Sequence, residues 1–304
     1  MSTLQSLIVI LGPTASGKTE MGFKLAKKYN GEIINADSRQ IYREMDIGTG
    51  KTDIQYSIFN IPVHLINIKN PNQKFSLSQY KKIAIKTINN IHKKNKIPIL
   101  VGGTGLYIST IVDNLEIPKA APNKKIRERL EKHTEKYLFK KLKKIDLKSA
   151  KTIGENNKRK LIRALEVCEI TGKPFSSQQI KGEPLFNVLQ IGIKTDREKL
   201  YKKIDERVDE MIRIGLIKET KKLSKKYSFD LPAMSGIGYR EIGQYLQNKI
   251  ALEEAIQKIK FRTHQYARRQ MTWFKRDGRI EWVENYSEAE KLFVSVIARN
   301  EVER

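Results

Sequence analysis

Short apolar runs alternate with segments of helical periodicity along the first hundred residues of the chain. The apolar runs, which are typical of buried strands, lie at 6–11, 32–36, 61–66 and 97–101. Between the first two, residues 18–29 repeat apolar side chains at helical spacing, and Ser76 or Ser78 is a candidate cap for a second helix. Strands that alternate with helices predict an α/β fold with a parallel sheet.

The pattern changes after Pro118. Residues 120–175 are highly charged and helical in period, and the next strand is indicated only at about 186–193. Helical segments carry most of the remaining sequence, with a last strand predicted at 280–283. The predicted domains are a core with C-terminal helices, formed by residues 1–118 and 185–304, and a helical insertion at 119–184.

The segment between the first strand and the first helix matches a phosphate-binding motif. It reads GPTASGKT and fits G-x-x-x-x-G-K-[ST], in the strand-to-helix context that this P-loop requires. Glycines let the backbone turn its N–H groups around phosphate oxygens, and the lysine and the helix dipole add positive potential. The Thr19 hydroxyl is placed to bind Mg²⁺, the one cofactor predicted. The predicted ligands of a diphosphate or triphosphate are Gly12, Pro13, Thr14, Ala15, Ser16, Gly17, Lys18 and Thr19.

An acidic residue stands in an unusual place for a nucleotide hydrolase, which normally ends a second strand in a metal-side aspartate. Here the strand at 97–101 ends in a glycine-rich turn, GGTG, and Asp37 follows the strand at 32–36 instead. A carboxylate there faces the side of the loop where a kinase holds its acceptor. We therefore predict that Asp37 is a base acting on an acceptor, with a turn-capping role as the alternative.

Composition favours a folded, soluble protein with a polyanionic partner. Hydrophobic residues make up 39% and charged residues 31% of the chain, and the formal net charge is +25. Part of the lysine excess can reflect a general Lys, Ile and Asn bias, but arginines beside aromatics cannot. Arg268 and Arg269 lie in such a segment, so both are predicted to bind RNA, whereas Trp273 and Phe274 have the spacing of core residues.

The single cysteine, Cys168, rules out an internal disulfide framework, and the apolar run near the N-terminus is too short to cross a membrane. We expect a cytoplasmic protein that does not associate with membranes.

Seven ordered blocks resemble the tRNA dimethylallyltransferase (isopentenyltransferase) family over nearly the whole chain. A P-loop alone occurs in many families, whereas this ordered set is specific. The blocks are GPTASGKT at 12–19, ADSRQIYREMDIGTGK at 36–51, VGGTGLYI at 101–108, KRKLIRALEVCEITGKPFS at 158–176, DREKLYKKIDERVDEMIRIGL at 196–216, AMSGIGYREIGQYL at 233–246 and THQYARRQMTWFKR at 263–276.

This resemblance implies transfer of a dimethylallyl group from dimethylallyl diphosphate to N6 of the adenosine 3′ of the anticodon in tRNA. In that reading the P-loop binds the prenyl diphosphate, Asp37 is the general base, and Arg207 supports the diphosphate beside Lys18 and Thr19. The expected partner is the tRNA anticodon stem-loop, bound by a monomer. The remaining positions that match family contacts to tRNA are Ser38, Arg39, Gln40, Thr104, Arg127, Arg159, Lys160, Leu161, Ile162, Arg163, Tyr239 and Arg240.

Three other functions stay open at this point. A P-loop kinase of small molecules would use Asp37 to activate a hydroxyl, but it explains neither the basic excess nor the insertion. An isopentenyltransferase acting on free adenine nucleotides shares the resemblance, although it has no use for long basic helices. A non-enzymatic RNA-binding switch would bind ATP or GTP tightly without prenyl transfer.

Overall fold

The computed structural model describes residues 4–51, 60–178 and 180–302, and the chain forms two compact units. The large unit contains residues up to Val112 and from Leu185 onward, and the small unit spans Asp113–Pro184. The predicted insertion, 119–184, lies within the small unit.

The large unit is built on a sheet in which every described strand pair is parallel, as the α/β prediction required. The strand order is β3-β2-β4-β1-β5-β6. The strands are β1 (Ser6–Leu11), β2 (Gly31–Asn35), β3 (Val63–His64), β4 (Ile97–Gly102), β5 (Asn187–Ile193) and β6 (Ile280–Val283).

Strand β1 lies in the middle of the sheet, between β4 and β5, which explains why its sequence is continuously apolar. Leu7, Val9 and Leu11 point into the core on one face, and Ile8 and Ile10 into the core on the other. A strand that is buried on both faces has no polar side to alternate with.

The third predicted strand was too long. Residues 61–66 were predicted to be extended, but β3 contains only Val63 and His64. Leu65 adopts a positive φ of 62°, and Asn67 one of 55°, so the backbone leaves the β conformation after two residues.

Helices cover both faces of the sheet and continue beyond it. Ser76 caps the second helix through a capping box with Gln79, which decides between the two candidate caps. The helices of the large unit are α1 (Lys18–Lys28), α2 (Leu77–Lys93), α3 (Gly105–Val112), α8 (Arg197–Arg213), α9 (Leu216–Ser224), α10 (Tyr239–Leu246), α11 (Leu252–Phe274) and α12 (Tyr286–Val302).

The small unit is helical, with its own core around Leu130, Leu138 and Leu165. Side chains of polar residues cap each helix, and Asp146 accepts hydrogen bonds from Ser149 and Ser176. The elements are α4 (Lys124–Glu131), α5 (Glu135–Ile145), α6 (Leu147–Ile153), α7 (Lys158–Thr171) and a 3₁₀ turn (Phe175–Gln178). Across the described residues of both units, no helix is both long and apolar enough to span a bilayer.

Candidate active site

The P-loop connects β1 to α1 and curls back on itself. Gly17 has a φ of 87°, and Ala15 adopts a φ of 62°, which is rare for a residue with a side chain. The Lys18 ammonium donates to the Pro13 carbonyl oxygen at 3.0 Å, so the lysine folds over the loop that precedes it. The result is a concave backbone segment with the dipole of α1 behind it, a geometry that suits phosphate.

Three charged groups meet at this loop. Burial lowers the pKa of Lys18 to about 8; the charge of Asp37 opposes this shift, and the charge of Arg207 adds to it. Both side chains therefore lie near enough to the ammonium for their charges to act on it. The structure therefore brings together the three residues that were predicted separately for acid–base chemistry and for binding of the diphosphate.

The loop also fits a magnesium-bound diphosphate. The Ser16 hydroxyl is buried and has no hydrogen-bond partner among the described residues, so it is available to a ligand. Thr19 lies in the first turn of α1. The described residues contain no cluster of three or more His, Cys, Asp or Glu that could hold a metal. Mg²⁺ commonly keeps several waters and uses substrate phosphates as ligands, so the Thr19 hydroxyl would be one protein ligand among them.

Asp37 is fixed by a short-range hydrogen-bond network at the end of β2. Asn35 brackets it, because the Asn35 side chain accepts from the Asp37 N–H at 3.1 Å and donates to the Asp37 carbonyl at 3.1 Å. Oδ1 of Asp37 accepts from the Arg39 N–H at 2.8 Å. None of the salt bridges in the described part of the chain involves Asp37, and its second oxygen, Oδ2, remains available to an acceptor.

Tyrosines surround this carboxylate. Burial, reinforced by the negative charge of Asp37, raises the pKa of Tyr80, Tyr107 and Tyr266. The rings of Tyr80 and Tyr107 stack with centroids 3.8 Å apart, and the Tyr80 hydroxyl donates to the Asn35 carbonyl at 3.2 Å. The phenols therefore stay neutral at physiological pH, and their rings form one part of the surroundings of Asp37.

The residues predicted on the acceptor side are all held by hydrogen bonds. The Thr104 hydroxyl accepts from the Ser38 N–H at 3.0 Å, and the Gln40 side chain donates to the Thr49 carbonyl at 3.2 Å. Arg39 donates to the Pro232 carbonyl at 2.7 Å. Ser38, Arg39, Gln40 and Thr104 thus lie together around Asp37, each partly buried.

Gln270 links the two sides of the site, and the sequence did not single it out. Its side chain accepts from the Thr14 N–H at 2.9 Å and donates to the Gly103 carbonyl at 2.8 Å. A β-carbon on Gly103 would lie 2.3 Å from the Gln270 amide nitrogen, and one on Gly105 would lie 2.3 Å from Trp273. The glycines after β4 are therefore required because α11 packs directly against them. Phe274 is buried as predicted, whereas Trp273 is 40% exposed.

Arg207 reaches the site past a loop formed by residues 46–50, the 46–50 loop. Arg207 donates to the Gly50 carbonyl at 3.5 Å, and a β-carbon on Gly50 would lie 1.6 Å from its guanidinium. Glu219 holds the other end of this loop by accepting three consecutive backbone N–H bonds, at 3.0, 2.9 and 3.1 Å. Residues far apart in sequence thus fix the position of Arg207.

Comparison with known proteins identifies the family. The IPP transferase model matches residues 40–277. The chain belongs to the IPP transferase family. A tRNA dimethylallyltransferase of Thermoanaerobacter sp. (strain X514) is 44% identical over 96% of both chains. The full-length tRNA isopentenylpyrophosphate transferase of Bacillus halodurans covers 97% of this chain and 96% of its own, at 38% identity and a TM-score of 0.72.

A eukaryotic dimethylallyltransferase described as acting on tRNA is also similar in structure. It is 31% identical with a TM-score of 0.79, covering 92% of this chain and 74% of that chain. The IPP transferase fold, with its parallel sheet and attached helices, is therefore shared across a wide range of organisms.

Two residues of the predicted tRNA contacts of this IPP transferase family member need correction in the small unit. Leu161 and Ile162 are buried in its core, because α7 turns them away from solvent. Arg159 and Lys160 are exposed on the opposite side. Their neighbour Arg163 is partly buried.

The small unit holds Arg127 and Arg163 on one buried glutamate. Glu166 accepts two bonds from Arg127, at 2.7 and 2.8 Å, and one from Arg163 at 2.7 Å. Burial by itself raises the pKa of Glu166, but these bonds and the Asn123 N–H lower it to about 2. The two arginines are fixed in orientation before any ligand arrives.

Tyr239, which was predicted to contact tRNA, is buried instead. It is 1% exposed, its hydroxyl donates to Glu219 at 2.7 Å, and its ring packs on Gly48. The side chain therefore positions the 46–50 loop and has no surface to offer to RNA. Arg240, the next residue, is exposed.

Two neighbouring arginines near the C-terminal end of α11 lie on the surface. Arg268 and Arg269 are exposed, and the Arg269 guanidinium lies 6.0 Å from the centroid of the Tyr266 ring. The negative charge of Asp37 contributes to the raised pKa of Tyr266, so these two residues lie near each other. The Tyr266 ring therefore lies near both the positively charged Arg269 and the candidate base, Asp37.

Proposed function

We propose that the protein transfers the dimethylallyl group of dimethylallyl diphosphate to N6 of the adenosine 3′ of the anticodon in tRNA. The observation that carries the proposal is the placement of Asp37, a carboxylate outside any described salt bridge, beside the P-loop lysine. Family membership supports the same reaction, since relatives are named for it. The expected setting is the cytoplasm, where tRNA is available.

Asp37 acts on the nucleophile. The N6 amine of adenine is a weak nucleophile, because its lone pair is delocalised into the ring. Oδ2 of Asp37 accepts a hydrogen bond from N6–H, orients the amine, and takes the proton as the N6–carbon bond forms. Oδ1 stays bound to the Arg39 N–H, which keeps the carboxylate in one orientation.

The P-loop acts on the leaving group. The carbon–oxygen bond to the diphosphate breaks as the N6–carbon bond forms, and negative charge grows on the departing oxygen. The loop amides, Lys18 and Arg207 are preorganised to stabilise that charge, and donors of this kind contribute about 3 kcal/mol each in comparable sites. Thr19 and the buried Ser16 hydroxyl would hold Mg²⁺ or a phosphate oxygen, and the cation would further neutralise the diphosphate.

The surroundings of Asp37 suit a carbon that carries positive charge in the transition state. Such a carbon reacts with water unless water is excluded. The stacked, buried Tyr80 and Tyr107 rings and the partly buried Tyr266 ring provide an apolar wall. The target adenosine lies in an RNA loop, so its extrusion costs only a few kcal/mol.

One assay separates this function from its alternatives. The protein is incubated with labelled dimethylallyl diphosphate and Mg²⁺, together with tRNA, AMP or ATP, and the labelled acceptor is identified. We expect label in tRNA alone. Label in AMP or ATP alone would indicate a nucleotide acceptor, and no label in any acceptor would favour a kinase or an RNA-binding switch.

The matched variants are Asp37→Asn and Asp196→Asn. Asparagine at position 37 keeps the hydrogen bond to the Arg39 N–H but cannot take a proton, so turnover should fall by about 10³-fold with tRNA binding retained. Asp196 caps α8 at the surface, and its substitution should leave turnover within a factor of two. An Asp37→Asn protein with full activity would remove the proposed base.

A further inference from the structure

A buried glutamate in the large unit holds two arginines, one of which, Arg240, was predicted to contact tRNA. The Glu241 side chain is 0% exposed and accepts from the Gly238 N–H at 2.8 Å. Its other oxygen accepts from Arg240 Nε at 3.0 Å and from the Arg262 guanidinium. A buried carboxylate that is fully hydrogen-bonded in this way locks the geometry of both partners.

Each arginine keeps most of its donors for a ligand. A guanidinium has five N–H donors, and Glu241 accepts from one nitrogen of Arg240 and one of Arg262. The side chains are 45% and 30% exposed, respectively. Two guanidinium groups with fixed orientation and partial exposure form a site for an oxyanion, and phosphate fits the planar fork best.

This pair lies beside the acceptor side of the candidate active site. The Arg240 N–H donates to the Gly236 carbonyl at 3.1 Å, and a β-carbon on Gly236 would lie 3.9 Å from the side chain of Arg39. Arg262 precedes Tyr266 by one turn on the same face of α11. Tyr266 senses the charges of Asp37 and Arg39, so the arginine pair continues the surface on which the target base is expected.

The same face of α11 extends in the other direction. Arg269 and Trp273 follow Tyr266 at intervals of three and four residues, which keeps them on one stripe of the helix. Arg269 lies over the Tyr266 ring, and Trp273 is 40% exposed. A stripe of arginines with interleaved aromatic rings is typical of surfaces that bind single-stranded nucleic acid.

We infer that the Arg240–Arg262 pair, held by Glu241, binds a backbone phosphate of the RNA strand next to the target nucleotide. Glu241 is a positioning residue, because it acts on RNA only through the two arginines. This inference rests on the proposed function, since it takes RNA as the acceptor. A phosphodiester is favoured over an acidic protein because the net charge of +25 and the aromatic stripe both suit a nucleic acid.

The substitution Glu241→Gln tests this inference, because the two possible explanations predict opposite changes in RNA affinity. It makes the protein more positive by one charge, so long-range attraction alone would tighten RNA binding. If Glu241 positions the arginines, binding should weaken instead, by about fivefold. The Kd of an anticodon stem-loop RNA and the KM for tRNA should rise together, while the KM for dimethylallyl diphosphate and the turnover at saturating tRNA stay unchanged.

The double variant Arg240→Gln/Arg262→Gln tests the phosphate contact directly. Stem-loop affinity should fall by about tenfold, and the slope of log K against log salt should decrease by about 2. This variant keeps the inference testable if Glu241→Gln does not fold. Circular dichroism and thermal unfolding check the fold of each protein.

Glu210 and Arg213 supply the matched control. They form a bidentate pair at 2.7 Å on α8 and are exposed. Glu210→Gln makes the same charge change as Glu241→Gln, and Arg213→Gln removes one of the two charges that the double variant removes. Both changes lie elsewhere on the large unit, and neither should alter stem-loop affinity by more than a factor of two.

Tighter or unchanged RNA binding by a folded Glu241→Gln protein would contradict the role of Glu241. An unchanged salt slope in the double arginine variant would overturn the phosphate site. A wild-type protein that neither binds nor labels tRNA would instead refute the proposed function, because the variants would then have nothing to weaken.

Discussion

The active face of the large unit and the arginine cluster of the small unit are organised by different means. At the active face, local turns and hydrogen bonds fix Asp37 and Lys18, and a hydrogen bond to the distant Gly50 carbonyl fixes Arg207. In the small unit, one buried carboxylate, Glu166, fixes Arg127 and Arg163. The first arrangement controls distances between reacting groups, and the second controls the direction of positive charge.

This difference predicts different responses to substitution. Changes at the active face should alter turnover with little effect on RNA affinity, because catalysis depends on small displacements. Changes in the small unit should alter its stability and RNA affinity, because a guanidinium contributes through its field and its hydrogen bonds.

Among substitutions that leave the reacting groups themselves in place, the largest effect is expected from Gly50→Ala. The new β-carbon would occupy the space of the Arg207 guanidinium, which must then leave its observed position. We expect kcat to fall by about 100-fold, as for the loss of one preorganised donor, with unchanged Kd for tRNA. Gly172→Ala is the control, because Gly172 has the same φ of 67° but nothing within 4 Å of an added β-carbon. Equal activity of the two variants would show that Gly50 does not position Arg207.

Deprotonation of Lys18 is expected to lower kcat/KM for dimethylallyl diphosphate by about tenfold per pH unit above its pKa. Since burial lowers its pKa to about 8, the charged form that binds diphosphate is lost from the free enzyme above that pH. The value of kcat/KM for dimethylallyl diphosphate should therefore be constant below about pH 8 and decline above it. The decline in kcat should begin at a higher pH, because bound diphosphate favours the ammonium. A flat profile of kcat/KM from pH 7 to pH 9.5 would contradict this assignment.

The smallest change in RNA affinity is expected from Glu166→Gln in the small unit. Stem-loop affinity should fall about threefold, and the unit should lose about 2 kcal/mol of stability, less than for a fully buried pair because both arginines are partly exposed. Hydrogen exchange of the amides in α4 and α7 measures the loss, with Glu128→Gln on exposed α4 surface as the control.

The pH dependence of that stability follows from the lowered pKa of Glu166. The stabilising contribution is fully present above its usual value of 4.5 and is lost as the pH falls toward about 2. The Glu166→Gln protein should lack this acid-sensitive component. If the wild-type and variant proteins lose protection equally on acidification, other carboxylates account for the effect.

Local patterns in the sequence predicted most of the fold. The buried run at 6–11, the helix after the P-loop and the strand at 280–283 were all correctly placed, because burial on one or two faces leaves a readable period. The same period explains the errors in α7. Leu161 and Ile162 are apolar residues at core spacing, and their assignment to RNA contact ignored that signal.

The candidate site was predicted in parts. The motif identified the P-loop, and the position after β2 identified Asp37, since both are local features. Gln270, Glu219 and Glu241 were not recognised, because each acts on residues far away in the sequence or through a neighbour that only packing supplies. Polar residues inside helices have no distinctive local pattern.

The sequence by itself determined which elements form and that a phosphate-binding loop and an acceptor-side carboxylate exist. Spacing, capping residues and glycine content depend on neighbours along the chain, so they can be read from it. Tertiary structure decided which side chain faces which: Arg207 against Gly50, Gln270 between Thr14 and Gly103, and Arg262 on Glu241. Those contacts arise only when helices distant in sequence pack on one sheet, because burial then forces each polar group to find its partner there.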